Sequence, residues 1–166
     1  MKIAIVSDTH GNAANFKKMV QWLNAQNIKT ILHCGDIGSL ESLKEFLENY
    51  DGEFFGVFGN MDKSFKIEIE EYNKIPRAKI STDILETEIG GKRIVITHFP
   101  DTAKKLSQSG KYDLVFYGHT HRPWDEKIGE THMINPGELA GQFYKPTFAV
   151  YDTVTGELKL KILEKL

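Results

Sequence analysis

Short apolar runs alternate with amphipathic segments through the first third of the chain. Three strands are expected from these runs, over residues 2–7, 30–33 and 53–58. Apolar side chains recur at helical spacing in the segments between them, over residues 12–26 and 40–49, and Ser39 is a candidate cap for the second helix. This alternation predicts parallel strands with right-handed crossovers and helices packed on the sheet.

The pattern becomes richer in strands after about residue 83. The runs ILETEI and KRIVITH flank Gly90 and Gly91, which suit a tight hairpin turn. A helix near residues 101–109 and a strand over 113–117 are expected next. Three short runs complete the chain, near residues 125–134, 146–152 and 157–163, and residues 153–156 suit a hairpin loop between the last two. Residues 61–80, interrupted by Pro76, predict only a loop or a short helix.

Five of the strand-like runs end in residue types that bind metals. These residues are Asp8, His10, Asp36, Asn60, His98, His119 and His121. Because ligands of open α/β sheets bind beyond the carboxyl ends of the strands, we expect these side chains to converge. Asp36 can bridge two cations, since each carboxylate oxygen can face a different ion. Two cations about 3.5–4 Å apart deprotonate a bridging water and stabilise both the attacking and leaving oxygens at phosphorus. The pattern therefore predicts a two-metal hydrolytic site.

Each motif taken alone has an ordinary structural explanation. Asp8 and His10 could belong to a simple turn, and the dipeptides that contain Asp36 and Asn60 could be turns as well. His98 could be a hydrogen-bonded core histidine. The segment Gly118-His119-Thr120-His121 is more specific, because alternating histidines after an apolar run place two imidazoles on neighbouring ligand positions. The whole set, in this order, favours the metal site.

Composition limits the class of protein further. The chain has 166 residues, 40% of them hydrophobic, which is enough for one substantial core, and we expect a single domain over residues 1–166. The only cysteine, Cys34, excludes an intramolecular disulfide and fits the reducing cytoplasm. No apolar run is long enough for a signal peptide or a membrane span, so no membrane partner is expected. The net charge of -2, with mixed signs, predicts no broad nucleic-acid surface.

The order D-x-H, G-D, G-N, an isolated His and G-H-x-H resembles the signature of the calcineurin-like metallophosphoesterase superfamily. The short length is similar to a compact subfamily of phosphodiesterases and relatives of the retromer scaffold subunit. The resemblance implies an α/β fold, a four-layer αββα sandwich of two packed mixed β-sheets flanked by helices. It also implies that Asp8, His10, Asp36 and His121 bind one divalent cation, and that Asp36, Asn60, His98 and His119 bind the other.

The same resemblance implies a metal-dependent phosphodiesterase that acts on a small phosphodiester, with Asp36, Asn60 and His98 in catalytic roles. Manganese is the first choice of metal, and nickel, iron, cobalt and zinc are alternatives, because mixed nitrogen and oxygen ligands admit all of them. Many relatives have a histidine after the G-N motif, near the leaving group, but this chain has Met61. Asp62 is a candidate acid in its place, and a turn residue is the alternative reading. Without that acid, turnover should be modest and sensitive to the leaving group.

Several other residues are expected to lie outside the chemistry. His33 lies in an apolar run and reads as a buried structural histidine, and Cys34 as a small core residue. His132 has no motif partner, and Arg122 could contact a substrate phosphate or solvent. The residues at 135–137 suggest a turn, followed by Glu138 where family members often have serine.

Two other functions remain open at this point. A protein-interaction scaffold on the same fold is the first, although a scaffold without catalysis would be expected to lose some of the histidines. A metal-dependent nuclease is the second, and the absence of a basic stripe disfavours it. Homo-oligomerisation is left open by the sequence.

Overall fold

The computed structural model describes residues 1–62 and 69–166, and this part of the chain forms eleven strands and four α-helices. The strands are β1 Lys2–Val6, β2 Thr30–His33, β3 Glu53–Val57, β4 Ala78–Ser81, β5 Ile84–Ile89, β6 Lys92–Thr97, β7 Leu114–Phe116, β8 Trp124–Ile128, β9 Thr131–Asn135, β10 Thr147–Asp152 and β11 Leu158–Ile162. The helices are α1 Ala13–Ala25, α2 Leu40–Leu47, α3 Ile69–Asn73 and α4 Pro100–Gln108, and a 3-10 turn at Leu163–Lys165 follows β11.

The strands form two mixed sheets. One sheet has the order β11-β10-β1-β2-β3-β4, in which β1 to β4 are parallel and β10 and β11 are antiparallel additions. The other has the order β5-β6-β7-β9-β8, with β6, β7 and β9 parallel and the two edge strands antiparallel. The parallel pairing expected for the first three strands is therefore confirmed.

The central strands contribute to two layers of the core, because successive side chains of a strand point to opposite faces of the sheet. In β1, Ala4 and Val6 pack with Phe16 and Met19 of α1, on the outer face of the first sheet. Ile3 and Ile5 face the other way and join the core between the two sheets, with members of β6 and β7. Burial on both faces explains why β1 reads as a continuous apolar run. Helix α4 covers the outer face of the second sheet through Ala103, so the expected four-layer αββα sandwich is confirmed.

Several local predictions are also confirmed. Ser39 caps α2, since its side chain accepts a hydrogen bond from the backbone N–H of Ser42 at 3.1 Å. Gly90 and Gly91 connect the antiparallel pair β5 and β6, in which Ile89 lies opposite Lys92. Residues 153–156 lie in the loop that connects the antiparallel pair β10 and β11.

No helix of the described residues is both long enough and apolar enough to cross a bilayer.

Two expectations about elements need correction. The run near residues 125–134 is a hairpin, β8 and β9, because Gly129 has a positive φ of 60° and reverses the chain. The stretch 61–80, expected to be a loop or short helix, contains α3 and also β4, which pairs with β3 through Gly56 and Ile80. Part of that stretch, residues 63–68, lies outside the described residues.

Candidate metal centre

The carboxyl ends of strands from both sheets meet at one edge of the sandwich. Asp8, Asp36 and Asn60 follow β1, β2 and β3 of the first sheet, while His98 and the segment 119–121 follow β6 and β7 of the second. The expected convergence of the seven side chains is observed. They form two groups that share Asp36.

The first group contains Asp8, His10 and His121, whose ligand atoms lie within 4.8 Å of one another. His121 Nε2 lies 3.4 Å from Asp8 Oδ1. The His10 and His121 rings stack with centroids 5.2 Å apart. Asp8 is fully buried, and the two imidazoles are partly exposed. The group is thus open to solvent only on its histidine side.

The second group contains Asn60, His98 and His119. Asn60 Oδ1 lies 3.0 Å from His98 Nε2 and 3.0 Å from His119 Nδ1, so one amide oxygen meets two imidazoles. His98 is buried, whereas Asn60 and His119 are exposed. This group is therefore more open than the first.

Asp36 lies between the two groups. Its Oδ2 atom is 3.8 Å from His10 Nε2 and 3.6 Å from His98 Nε2, and its Oδ1 atom accepts the backbone N–H of Met61 at 2.9 Å. Asp8, Asp36 and His98 also satisfy a 4.8 Å mutual distance. Asp36 therefore lies near a histidine of each group, and the prediction that it would be shared by two cations stays a prediction.

A histidine can bind a cation only through a ring nitrogen that carries no proton, so the protonation state of His98 bears on the fit of these residues to a metal ion. The Nδ1–H of His98 donates to the carbonyl of Cys34 at 2.8 Å, which leaves a lone pair on Nε2 facing the Asn60 oxygen. Burial lowers the pKa of His98, so the neutral ring predominates. Two lone pairs that face each other at 3.0 Å repel unless both are directed at the same positive ion. The neutral form is also the form that binds metals.

Unsatisfied buried atoms give the same indication. Asp8 Oδ1 and His10 Nε2 are buried and have no hydrogen-bond partner, although buried polar atoms in native structures almost always have one. Burial raises the pKa of Asp8 to about 7 and lowers that of His10. A divalent cation would satisfy both atoms and hold Asp8 ionised. The donor set of carboxylate, imidazole and amide oxygen therefore fits such ions.

The backbone is strained at these positions. Among the described residues, seven non-glycine residues have positive φ, and five of them are candidate ligands: Asp8 (51°), His10 (45°), Asp36 (55°), His119 (70°) and His121 (60°). The left-handed region costs a non-glycine residue on the order of 1 kcal/mol or more, and such residues cluster at functional sites. The sharp turns direct successive side chains of each loop into the centre.

Close packing explains the glycines that precede the ligands. A Cβ at Gly59 would overlap the Asp36 carboxylate, and a Cβ at Gly118 would overlap the Ser7 hydroxyl and come within 2.8 Å of Asp8 Oδ2. The loops can approach this closely only because these positions carry no side chain. No residue with a side chain fits at the glycine of the G-N or the G-H motif without displacing its neighbours.

Glu138 is a site residue that sequence reasoning missed. It is fully buried, and its carboxylate accepts His121 Nδ1–H at 2.8 Å. The same carboxylate accepts the backbone N–H groups of Gln142, Phe143 and Tyr144. Burial alone would raise the pKa of Glu138, but these four hydrogen bonds outweigh it and hold the pKa below its usual value. The only sequence signal was an acidic residue after the 135–137 turn, where relatives often have serine.

The location of Asp62 disagrees with its candidate role as a catalytic acid. The side chain is buried, with one oxygen accepting the backbone N–H groups of Gly59 and Ile37 and the other that of Gly38. The carboxylate is only 2% exposed and is directed at three backbone N–H groups, so it is not placed to give a proton to a leaving group at the open edge of the centre. Asp62 instead ties the loop after β3 to the loop after β2, which supports the turn-residue reading. Met61 beside it is 48% exposed.

The remaining histidines and Cys34 lie outside the centre. His33 is fully buried, accepts the Gly35 N–H at Nδ1 and contacts the Thr9 hydroxyl through Nε2 at 3.0 Å, which confirms its structural reading. Cys34 is buried in the core between the sheets, as expected. His132 lies 3.2 Å from Asp125 on the β8–β9 hairpin.

Two further expectations concern the loops after β7 and β9. Arg122 is exposed next to His121. Asn135 begins the expected turn, since its side-chain oxygen accepts the Gly137 N–H at 2.9 Å. Its amide donates to the Gly118 carbonyl at 2.9 Å, so this turn also supports the loop that carries His119 and His121.

Comparisons with known proteins agree with this geometry. The sequence profile of the calcineurin-like phosphoesterase superfamily domain matches residues 1–156. A phosphodiesterase from Methanocaldococcus jannaschii is 36% identical over 168 aligned residues, which cover 99% of this chain and 100% of that protein. A solved structure described as a novel archaeal phosphodiesterase has a TM-score of 0.87 and 34% identity, and the match covers 98% of this chain and 99% of that chain. Vacuolar protein sorting 29 from Cryptosporidium parvum shares the fold, with a TM-score of 0.69, 19% identity and coverage of 96% and 95%.

Proposed function

This chain belongs to the calcineurin-like phosphoesterase superfamily, and we propose that it is a dinuclear metal-dependent phosphodiesterase that hydrolyses a small phosphodiester. The observation that carries the proposal is the pair of ligand groups around Asp36, in which lone pairs of His98 and Asn60 face each other. The similarity to proteins named phosphodiesterases, over nearly the whole chain, supports the choice of diester over monoester.

In this proposal, one divalent cation is held by Asp8, His10, Asp36 and His121, and the other by Asp36, Asn60, His98 and His119. When bound, such ions polarise the phosphoryl oxygens and acidify a water. The protein contributes two carboxylates to the ligand set, so a pair of dications stays incompletely neutralised and attracts an anionic ester. Glu138 and the carbonyl of Cys34 fix the tautomers of His121 and His98, so that Nε2 of each ring faces the centre.

The leaving group has no acid at the position that many relatives use. Met61 has no titratable atom, and the Asp62 carboxylate is occupied by three backbone amides. We therefore expect hydrolysis to favour leaving groups that depart as stable anions. General acid help is worth about 10²- to 10⁴-fold, so esters of basic alcohols should be slowest.

A metal-reconstitution assay tests the function. The protein is loaded with manganese and compared on an activated aryl phosphodiester and on the matching monoester, beside Asp36→Asn and His98→Ala. We expect diester hydrolysis by the wild type and its loss in both variants. Unchanged activity in the variants, or a protein that hydrolyses only the monoester, contradicts the proposal.

A protein-interaction scaffold is the alternative function, since vacuolar protein sorting 29 shares the fold. Asp8 Oδ1 and His10 Nε2 are buried without a hydrogen-bond partner, and this favours a protein that binds metal. A scaffold without a metal would have no use for such unsatisfied polar atoms. A protein that binds no metal, measured by calorimetry, would support the scaffold.

Finer aspects of the proposal rest on residue types. We propose manganese as the first metal, ahead of nickel, iron, cobalt and zinc, because carboxylate and amide oxygens accompany the imidazoles. We also propose one domain over residues 1–166 and a cytoplasmic location, for which the single buried Cys34 is the support. We propose a small phosphodiester as the binding partner, with no broad nucleic-acid surface, no membrane partner and a possible homo-oligomer.

A further inference from the structure

Exposed aromatic side chains lie beside the candidate metal centre. Among the described residues, three aromatic side chains are exposed, and two of them are neighbours: Phe143 at 72% and Tyr144 at 51%. The third, Trp124, is 51% exposed on β8 and lines a different groove with Leu158 and Leu160. We call Phe143 and Tyr144 the aromatic platform.

The platform is continuous with the metal centre. The Phe143 ring meets the His121 ring at 85°, with centroids 5.0 Å apart. Phe99 packs edge-on against two other candidate ligands, His98 and His119. Exposed Met61 follows the candidate ligand Asn60. The surroundings of the centre are therefore apolar on several sides, although a phosphate group alone would need only charged or polar contacts.

The backbone under the platform is held rigidly. The buried Glu138 carboxylate accepts the N–H groups of Phe143 and Tyr144, and the same carboxylate orients His121. The backbone that carries the two rings is thus preorganised beside His121, which reduces the entropy lost on binding.

We propose that the aromatic platform is a substrate subsite that takes a planar apolar substituent of the phosphodiester, such as an aryl group or a nucleobase. This inference rests on the proposed function and specifies its substrate class. A planar group can stack on or meet the edge of Phe143 while the phosphate occupies the metal centre. The occupant is a substituent of the substrate and not a partner protein, because Phe143 contacts a candidate metal ligand directly.

Binding of phosphate monoesters tests the subsite without requiring turnover. Manganese-loaded protein is titrated calorimetrically with phenyl phosphate and with methyl phosphate, which share the anion and differ in the planar group. We expect the wild type to prefer phenyl phosphate roughly tenfold, a typical stacking contribution. Phe143→Ala should reduce that ratio to about twofold.

Two control variants separate the subsite from general effects. Phe143→Tyr should keep the phenyl preference, and Trp124→Ala, which removes another exposed aromatic side chain elsewhere, should leave it unchanged. If Phe143→Ala retains the wild-type ratio, the subsite is refuted and the platform would instead suit a partner protein. Failure of the proposed function has a separate signature, namely a wild type that hydrolyses no activated diester.

Discussion

The two halves of the candidate metal centre use the same residue types but are supported differently. In the Glu138-backed half, made of Asp8, His10 and His121, the outer nitrogen of His121 donates to a buried carboxylate at 2.8 Å. In the open half, made of Asn60, His98 and His119, the outer nitrogen of His98 donates to a neutral carbonyl at 2.8 Å. A carboxylate behind an imidazole raises its basicity more than a carbonyl does. We therefore expect two metal-binding steps, with the tighter one in the Glu138-backed half.

The comparison has a functional meaning. The tighter half would keep its cation permanently, while the exposed Asn60 and His119 would exchange theirs with the medium. Occupancy of the open half would then determine how much of the protein is active at a given metal concentration. The following predictions address this asymmetry.

Removal of the shared carboxylate should produce the largest effect, because it removes what connects the halves. In Asp36→Asn, both binding steps should weaken and diester hydrolysis should fall on the order of 10²- to 10³-fold. Calorimetric titration with manganese, together with initial rates on an aryl diester, measures this. If only one step weakens, Asp36 serves one cation and does not bridge.

Neutralising Glu138 should affect one half selectively. Glu138→Gln removes the charge behind His121, and we expect the tighter step to weaken about 10- to 100-fold while the weaker step stays within about twofold. His119→Ala is the matched variant and should weaken only the other step. Circular dichroism of both metal-free variants checks that the fold persists. A loss confined to the weaker step in Glu138→Gln would reverse our assignment.

His33 supports the loops beneath both halves, and its effect should depend on pH. Burial lowers its pKa from 6.5 to about 3, so between these values the unfolded chain binds a proton that the folded chain does not. Its contribution to stability is therefore complete above pH 6.5 and decreases as the pH falls, by about 2 kcal/mol at pH 5. Denaturant unfolding of metal-free wild type and His33→Gln at pH 7.5 and 5 measures it.

The difference between the two proteins isolates His33. Asp8, whose pKa is raised from 3.8 to about 7 by burial, acts in the opposite sense, because stability is lost as the pH rises through this range. Asp8 is present in both proteins, so its effect cancels. Wild type should lose more stability than His33→Gln on acidification. Equal losses would mean that His33 titrates normally in the folded state.

Adding a proton donor at position 61 should have the smallest effect. Met61→His places an imidazole next to Asn60 of the open half, and we expect roughly tenfold faster hydrolysis of diesters with basic leaving groups. Rates on activated aryl esters should change little, because they need no acid. A plot of rate against leaving-group pKa should become shallower. An equal increase for all esters would indicate improved binding instead of proton donation.

The candidate ligands are predictable from the sequence because they follow apolar runs in a characteristic order. Strand β1 is predictable for a similar reason, since burial on both faces leaves a continuous apolar signal. Strand β4 is not predictable from the pattern, because this short edge strand after Pro76 has only one buried apolar residue, Ile80. The division between β8 and β9 depends on a reversal at Gly129, which a single glycine in an apolar run does not reveal.

The supporting residues were less visible in the sequence. Asp62 accepts N–H groups from the loop after β2, and Glu138 accepts N–H groups from its own loop while its carboxylate reaches His121 in another loop. No local pattern distinguishes such a carboxylate from a solvated one, because the partners are known only once the fold is known. The tautomers of His98 and His121 depend on the same long-range contacts.

The left-handed backbone at five candidate ligands has a consequence for engineering and for evolution. Glycine would relieve conformational strain at each of those positions. Asp8→Gly or His121→Gly would relax the backbone, but each would also remove a candidate coordinating atom and the hydrogen bond that the side chain makes to another loop. Conformational relief and hydrolysis are therefore opposed at the same five positions, and a screen for heat resistance alone would select against activity wherever the relief outweighs the lost contacts.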